Sequence, residues 1–324
     1  MWFRRRLGGQ LLPLLTVGQA TQRWVATDAD LLSHFSQTFF ANRPVSFIEK
    51  LEFKNVDAIE TIPIFRVMSP GGCLLNKKHT ACMDDGLAVK IFKNMILMQV
   101  IDEILYNAQR QGRISFYMTN YGEEACTLGS AAALKNYDLI FAQYRELGPL
   151  LWRGYSLQSL VDQCVGNEDD SGLGRQMPVH YGSKEEHYVT ISSTLATQMP
   201  QAVGAAYVSK MKKEDRVSLC YFGDGASSEG DCHAAFNFAS TLRCPIIFFC
   251  RNNGYAISTP VSEQYGGDGV AGRGPAYGLA TIRVDGNDVF AVYACIEHAQ
   301  LVIIQPLMTV RPIAYVKKLT FGAS

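Results

Sequence analysis

Two apolar runs, Val217 to Phe222 and Pro245 to Cys250, flank a small-residue stretch from Ala226 to Thr241 that suits a helix. Strand, helix, strand in that order implies a parallel βαβ unit, in which a crossover joins two neighbouring strands. Both strands of such a unit end at the same carboxyl edge of the sheet, where ligands bind in folds of this class. Each end carries polar punctuation: Gly223-Asp224-Gly225 after the first strand, and Arg251 with Asn252-Asn253-Gly254 after the second. A carboxylate and an amide therefore meet at one edge. A hard divalent cation takes oxygen ligands, and this pair leaves positions free for diphosphate oxygens. The helix expected after Asp224 would point its first N–H groups at the same anion. Gly-Asp-Gly alone also marks ordinary tight turns, so the pairing with Asn252-Asn253 carries the reading.

Strand and helix patterns alternate from Ile114 to Gly286, which predicts an α/β domain with a mostly parallel sheet covered by helices. Residues 28 to 80 read as an extended arm, interrupted by Pro44, Pro63, Pro70 and Gly71-Gly72. An amphipathic helix follows, with Asp84 and Asp85 in its first turn and Gly112 at its end. Val89, Phe92, Ile96, Val100 and Ile104 recur at helical spacing and predict a core-facing ridge. With 48% hydrophobic residues among 324, the chain has material for a substantial core. A net charge of +0 without a basic stripe argues against nucleic acid. The longest apolar runs are strand-length, well short of the roughly 18 residues of a membrane span. Nine cysteines form no CxxC pair, so they read as free thiols, three of them in or beside core strands.

The first 27 residues carry Arg4, Arg5, Arg6 and Arg23 with no acid before Asp28, among Trp2, Phe3 and several leucines. That composition predicts a mitochondrial transit peptide. A secretory signal is the competing reading, opposed by Gly8, Gly9, Gln10 and Pro13, which break the apolar stretch.

Other stretches admit two readings each. Arg145, within Gln143-Tyr144-Arg145-Glu146, either clamps diphosphate oxygens or sits on a solvated helix face. Ser192-Ser193-Thr194 followed by Thr197-Gln198 is either a monovalent-cation site or a capped helix start. His180 is a lone loop histidine, a core residue or an active-site group.

Longer stretches carry a family resemblance. Asp224 with Asn253 resembles the magnesium–thiamine diphosphate motif. Gly112 to Glu124, Gly174 to Gly182, Pro245 to Pro260 and Ile282 to Val289 resemble the α subunit of the E1 component of mitochondrial 2-oxo acid dehydrogenase complexes, in its branched-chain branch. The likeness runs from about residue 45 to 293, and the pyruvate branch is the alternative. It implies magnesium on Asp224, Asn253 and the Tyr255 carbonyl. It implies thiamine diphosphate contacts from Gln143, Tyr144, Arg145, Ser193, Gly225, Ala226 and Arg251, and potassium on Ser192, Thr194, Thr197 and Gln198. Many members of the branched-chain branch carry Glu where Asp224 stands, and Thr194 replaces a proline; both changes are compatible with ligation. The implied reaction is oxidative decarboxylation of a branched 2-oxo acid, with transfer of the acyl group to a lipoyl-bearing E2 core. Implied partners are an E1 β subunit in an α2β2 assembly, that E2 core and a regulatory kinase. The implied location is the mitochondrial matrix. The implied domains are an arm and helix over 28–111 and a thiamine diphosphate-binding domain over 112–293.

After about Tyr293 the resemblance stops, and residues 294–324 read as an aberrant tail. The family continues to a loop G-H-H-S-T-S-D-D-S-S-A-Y-R that holds an active-site histidine and the phosphorylated serine. Residues 302 to 314 here read Val-Ile-Ile-Gln-Pro-Leu-Met-Thr-Val-Arg-Pro-Ile-Ala. Codons for that loop, read one base late, can give this string. The match ends at Ala314, so Tyr315 to Gly322 needs another cause, such as a splice junction. The expectation is an out-of-frame read, from a frameshift, a splice variant, a pseudogene or a gene-model error, against an unrelated divergent tail. As written, the chain then carries no catalytic histidine and no phosphorylation site, and should show little decarboxylase activity.

Overall fold

The computed structural model describes residues 37–40, 43–48, 50–55, 58–76, 83–304 and 312–317. The expected transit peptide, 1–27, lies outside them, as do residues 305–311 and 318–324 of the tail. The chain divides into two compact units, residues 1–58 and 59–324. In the first, β1 (Gln37–Phe40) and β2 (Arg43–Ser46) pair antiparallel, with Gln37 opposite Ser46.

The second unit runs β3 (Ile64–Phe65), α1 (Asp85–Arg110), α2 (Glu124–Ala133), β4 (Leu139–Phe141), α3 (Leu147–Trp152), α4 (Leu157–Val165) and α5 (Gln198–Lys212). It continues with β5 (Ser218–Gly223), a 3-10 turn (Gly225–Ser228), α6 (Gly230–Leu242) and β6 (Ile246–Asn252). A two-stranded hairpin, β7 (Tyr255–Ala256) and β8 (Thr259–Pro260), leads to α7 (Val261–Gln264) and α8 (Gly269–Ala276). The unit closes with β9 (Ala280–Asp285), α9 (Val289–Ile304) and β10 (Pro312–Lys317). Six strands form one sheet in the order β3-β9-β10-β6-β5-β4, and every pair is parallel. The expected mostly parallel α/β architecture is what the chain adopts. Part of the tail enters this sheet: β10 lies between β9 and β6, with Pro312 opposite Ala280 and Lys317 opposite Asn252.

β5 and β6 are neighbours, registered from Ser218 opposite Ile246 to Gly223 opposite Arg251. The two-residue period of a strand sends alternate side chains to opposite faces. Leu219, Tyr221, Ile247 and Phe249 join the core under α2 and α9, with Leu128 and Ile296. Cys220, Phe222, Phe248 and Cys250 join a second core under α5 and α6, with Val203 and Phe236. Both faces being covered is why these strands read as continuous apolar runs. Among the described residues eight cysteines are free thiols, as expected, and all but Cys73 are buried.

The ridge predicted on α1 is corrected. Asp84 does cap the helix, its side chain accepting from the Leu87 N–H. Yet Val89, Phe92, Ile96, Val100 and Ile104 are 46% to 61% exposed. The helix instead buries Ile91, Met98, Ile101 and Leu105, together with Asp102, against the body of the unit. Asp102 accepts hydrogen bonds from the Tyr117 hydroxyl and from the backbone and side chain of Asn120. Apolar periodicity alone gave no weight to a ridge with a carboxylate in its middle.

Candidate functional site

The carboxyl ends of β4, β5 and β6 assemble the site. Asp224 follows β5 and is 1% exposed. Its N–H donates to the Arg251 carbonyl (3.3 Å), which stitches the two loops together. Its Oδ2 accepts from Gln264 Nε2 at 3.1 Å. Among the described residues no cation is ion-paired to it, and burial pushes its carboxyl above the ordinary range against that hydrogen bond. Gly225 is dictated by space, since a Cβ there would lie 2.7 Å from Ala256 Cβ. Ala226 is buried in the 3-10 turn, where Ser227 Oγ donates to the Asp224 carbonyl. The helix expected to start at Ala226 is corrected: Glu229 is extended, and α6 begins only at Gly230. The N–H groups nearest Asp224 therefore belong to a tight turn rather than to the first turn of an α-helix.

Arg251 is the last residue but one of β6, a strand buried along its whole length, and is held between two carboxylates. Its Nη1 donates to Glu123 Oε2 at 2.5 Å, and its Nε pairs with Glu146 Oε1. Gln143 Oε1 accepts from the Gly223 N–H (2.8 Å) and lies 3.5 Å from Arg251 Nη2. The Gln143 N–H donates to Glu146 Oε2. Asn253 Nδ2 donates to Glu123 Oε1 at 3.2 Å, while its Oδ1 accepts from the Tyr255 N–H. Gly254, with φ at +93°, makes the reversal that a side chain would strain. Burial works to raise the Glu123 carboxyl, but the charge and hydrogen bonds of Arg251, with Asn253, hold it below the ordinary range. Glu146 is pushed up, because its complete burial outweighs Arg251. Burial opposes the charge on Arg251, and Glu123 and Glu146 more than restore it.

Tyr144 is half-buried, edge-on to Phe116. Arg145 is half-buried and donates to the Thr119 carbonyl at 2.7 Å, in a turn rather than on a solvated helix face. Ser193 Oγ lies 2.7 Å from His180 Nε2, and His180, 3% exposed, has Nδ1 3.0 Å from the Pro178 carbonyl. Ser192, Thr194 and Thr197 lie on the loop entering α5, and Gln198 is the first residue of that helix. Thr197 occupies the N-cap position without a side-chain capping bond, so the capped-start alternative does not hold. Gln198 Nε2 donates to the Tyr221 carbonyl. Tyr255 is 59% exposed. The structure thus brings Gln143, Asp224, Gly225, Arg251 and Asn253 to one edge.

The donor set fits a divalent cation. Among the described residues no group of three or more His, Cys, Asp and Glu side chains forms a metal site; Glu123 and Glu146 are taken by Arg251, which leaves the Asp224 carboxylate with the amide oxygens beside it. Gln264 Oε1 is buried beside Asp224 without a hydrogen-bond partner among the described residues. Carboxylate and amide oxygens suit a hard ion. Sequence pattern assigns no role to Glu123, Glu146 or Gln264. One signal for the first two existed: an arginine closing an all-apolar strand must find carboxylates in the core.

The family model of the dehydrogenase E1 component matches residues 92–302. The chain is 57% identical over 290 residues to 2-oxoisovalerate dehydrogenase subunit alpha, mitochondrial, of Caenorhabditis elegans, covering 89% of this chain and 66% of that one. It is 60% identical over 261 residues to the subunit of the same name in Homo sapiens (81% and 59% covered). To subunit alpha 2 of Arabidopsis thaliana it is 49% identical over 282 residues (84% and 60%). The chain spans about two thirds or less of the length of these curated relatives.

Proposed function

This chain belongs to the dehydrogenase E1 component family, and from that premise we propose that it is an α subunit of the branched-chain 2-oxo acid dehydrogenase E1 component. The observation that carries the reading is the edge where Asp224, buried and in no ion pair among the described residues, is joined through its backbone to Arg251. Asp224, Asn253 and the Tyr255 carbonyl would hold magnesium, with Gln143, Tyr144, Arg145, Ser193, Gly225, Ala226 and Arg251 around the diphosphate of thiamine diphosphate. Ser192, Thr194, Thr197 and Gln198 would hold potassium with hydroxyl and amide oxygens. The bound coenzyme would supply the electron sink for decarboxylation of a branched 2-oxo acid, whose acyl group passes to a lipoyl arm of E2. This chain's own residues bind and orient: Arg251 meets the anion, and Gly225 keeps the turn at Asp224 free of side-chain bulk.

The relatives' names place them in mitochondria, which agrees with a matrix location for this chain. An E1 β subunit in an α2β2 assembly would complete the coenzyme site, and the exposed apolar ridge of α1 is the kind of surface a partner subunit covers. The test is co-purification with the β subunit, followed by calorimetry of thiamine diphosphate with and without magnesium. Magnesium-dependent uptake is expected, and its absence defeats the proposal. Faster turnover of pyruvate than of 2-oxoisovalerate would move the chain to the pyruvate branch.

Residues 302–314 favour a second reading, in which the chain binds coenzyme and β subunit without turnover. Uptake with little decarboxylation supports it, and a normal rate refutes it. A regulatory kinase would then find no serine to act on in this stretch.

A further inference from the structure

The carboxylate of Glu123 touches two groups with different proposed duties. Its Oε2 takes Arg251 Nη1 at 2.5 Å, and its Oε1 takes Asn253 Nδ2 at 3.2 Å. It is 6% exposed, at the entry of α2. A relay of buried bonds fixes its backbone: the Glu123 N–H donates to the Asn120 carbonyl, and Asn120 is held by Asp102 through both its N–H and its amide. The neighbouring Glu124 faces Gln99 and does not compete.

We propose that Glu123 is a positioning residue that aims the Asn253 amide oxygen at the magnesium position while it orients Arg251 toward the diphosphate. This rests on the reading of Asp224 and Asn253 as the metal-bearing edge. An asparagine amide presents an oxygen or an NH2 group depending on which way it is turned, and only the oxygen binds a hard cation. A carboxylate accepts and cannot donate, so its contact with Nδ2 turns Oδ1 away from Glu123. The Oδ1 contact with the Tyr255 N–H agrees with that orientation. Loss of an outer group that orients a ligand typically costs about 10- to 100-fold in metal affinity.

The test uses the full chain assembled with the β subunit, titrated with Mg2+ in the presence of thiamine diphosphate and followed by calorimetry. Glu123→Ala is expected to weaken Mg2+ binding by about 10- to 100-fold. Glu123→Gln keeps one acceptor oxygen, which the charged Arg251 claims first, and sets its NH2 group against Asn253 Nδ2, so Mg2+ affinity falls more than coenzyme affinity at saturating Mg2+. In an Asn253→Ala background, Glu123→Ala adds no further loss of Mg2+ affinity. No magnesium-dependent uptake by the parent chain would sink the underlying site reading. Uptake by the parent with Glu123→Ala titrating identically would overturn the positioning role. So would a Glu123→Ala loss that persists undiminished in the Asn253→Ala background. If Glu123→Ala does not assemble, Glu123→Gln decides, and an equal fall in Mg2+ and coenzyme affinity counts against the role.

Discussion

Replacing Arg251 by methionine tests the charge architecture of the site. The guanidinium is 4% exposed, and its two partners are equally hidden, Glu123 at 6% and Glu146 at 1%. Arg251→Met keeps most of the side-chain volume and leaves two carboxylates buried without compensation. Breaking a buried ion pair from one side costs about 3–5 kcal/mol. At roughly 2–4 °C per kcal/mol for a unit of this size, the melting temperature should fall by about 6–20 °C. The pH dependence follows from the sign of the shift. With the positive charge gone, both carboxyls move above their ordinary value of 4.5 in the folded state. A raised carboxyl contributes stability below its unfolded pKa and loses it as pH rises through the folded value. The gap between variant and parent should therefore widen from about pH 5 to about pH 8 in circular-dichroism melts. Replacing all three residues by apolar ones, Arg251→Met with Glu123→Leu and Glu146→Leu, should recover most of the loss, because it removes the uncompensated charges. A variant that melts like the parent at every pH, or a gap that narrows on going alkaline, would refute this account.

Phe236→Ala removes the ring that packs 4.9 Å from Phe248 and 6.0 Å from Phe222, and urea unfolding should show a loss of about 3–5 kcal/mol. Tyr221→Phe deletes the buried bond to Ser130 Oγ (2.7 Å), for a loss of about 1 kcal/mol in the same assay. Gly225→Val forces atoms into Ala256; it should cost about 1–3 kcal/mol in melting and strongly weaken magnesium-dependent coenzyme uptake by calorimetry.

Much of the fold was legible because its signals are local. Val217 to Phe222 and Pro245 to Cys250 are apolar on both faces, which a strand buried between two helical layers requires, and their parallel pairing followed from the helical stretch between them. The meeting of Asp224 and Arg251 at one edge followed from the same unit. The tail was a different matter. Its separation rested on resemblance, and the pairing of Pro312–Lys317 between β9 and β6 involves residues far away in sequence.

Local pattern alone, then, sufficed for the βαβ unit, for its glycines and for the sheet edge at which the loops of Asp224 and Asn253 lie side by side. Which ridge of α1 faces inward, and which acids surround Arg251, depended on contacts between distant segments. Glu123 reaches Arg251 across 128 residues and Asn253 across 130. Burial removes the water that would otherwise satisfy those charges, so partners are chosen by proximity in space, and apolar periodicity carries no record of that choice.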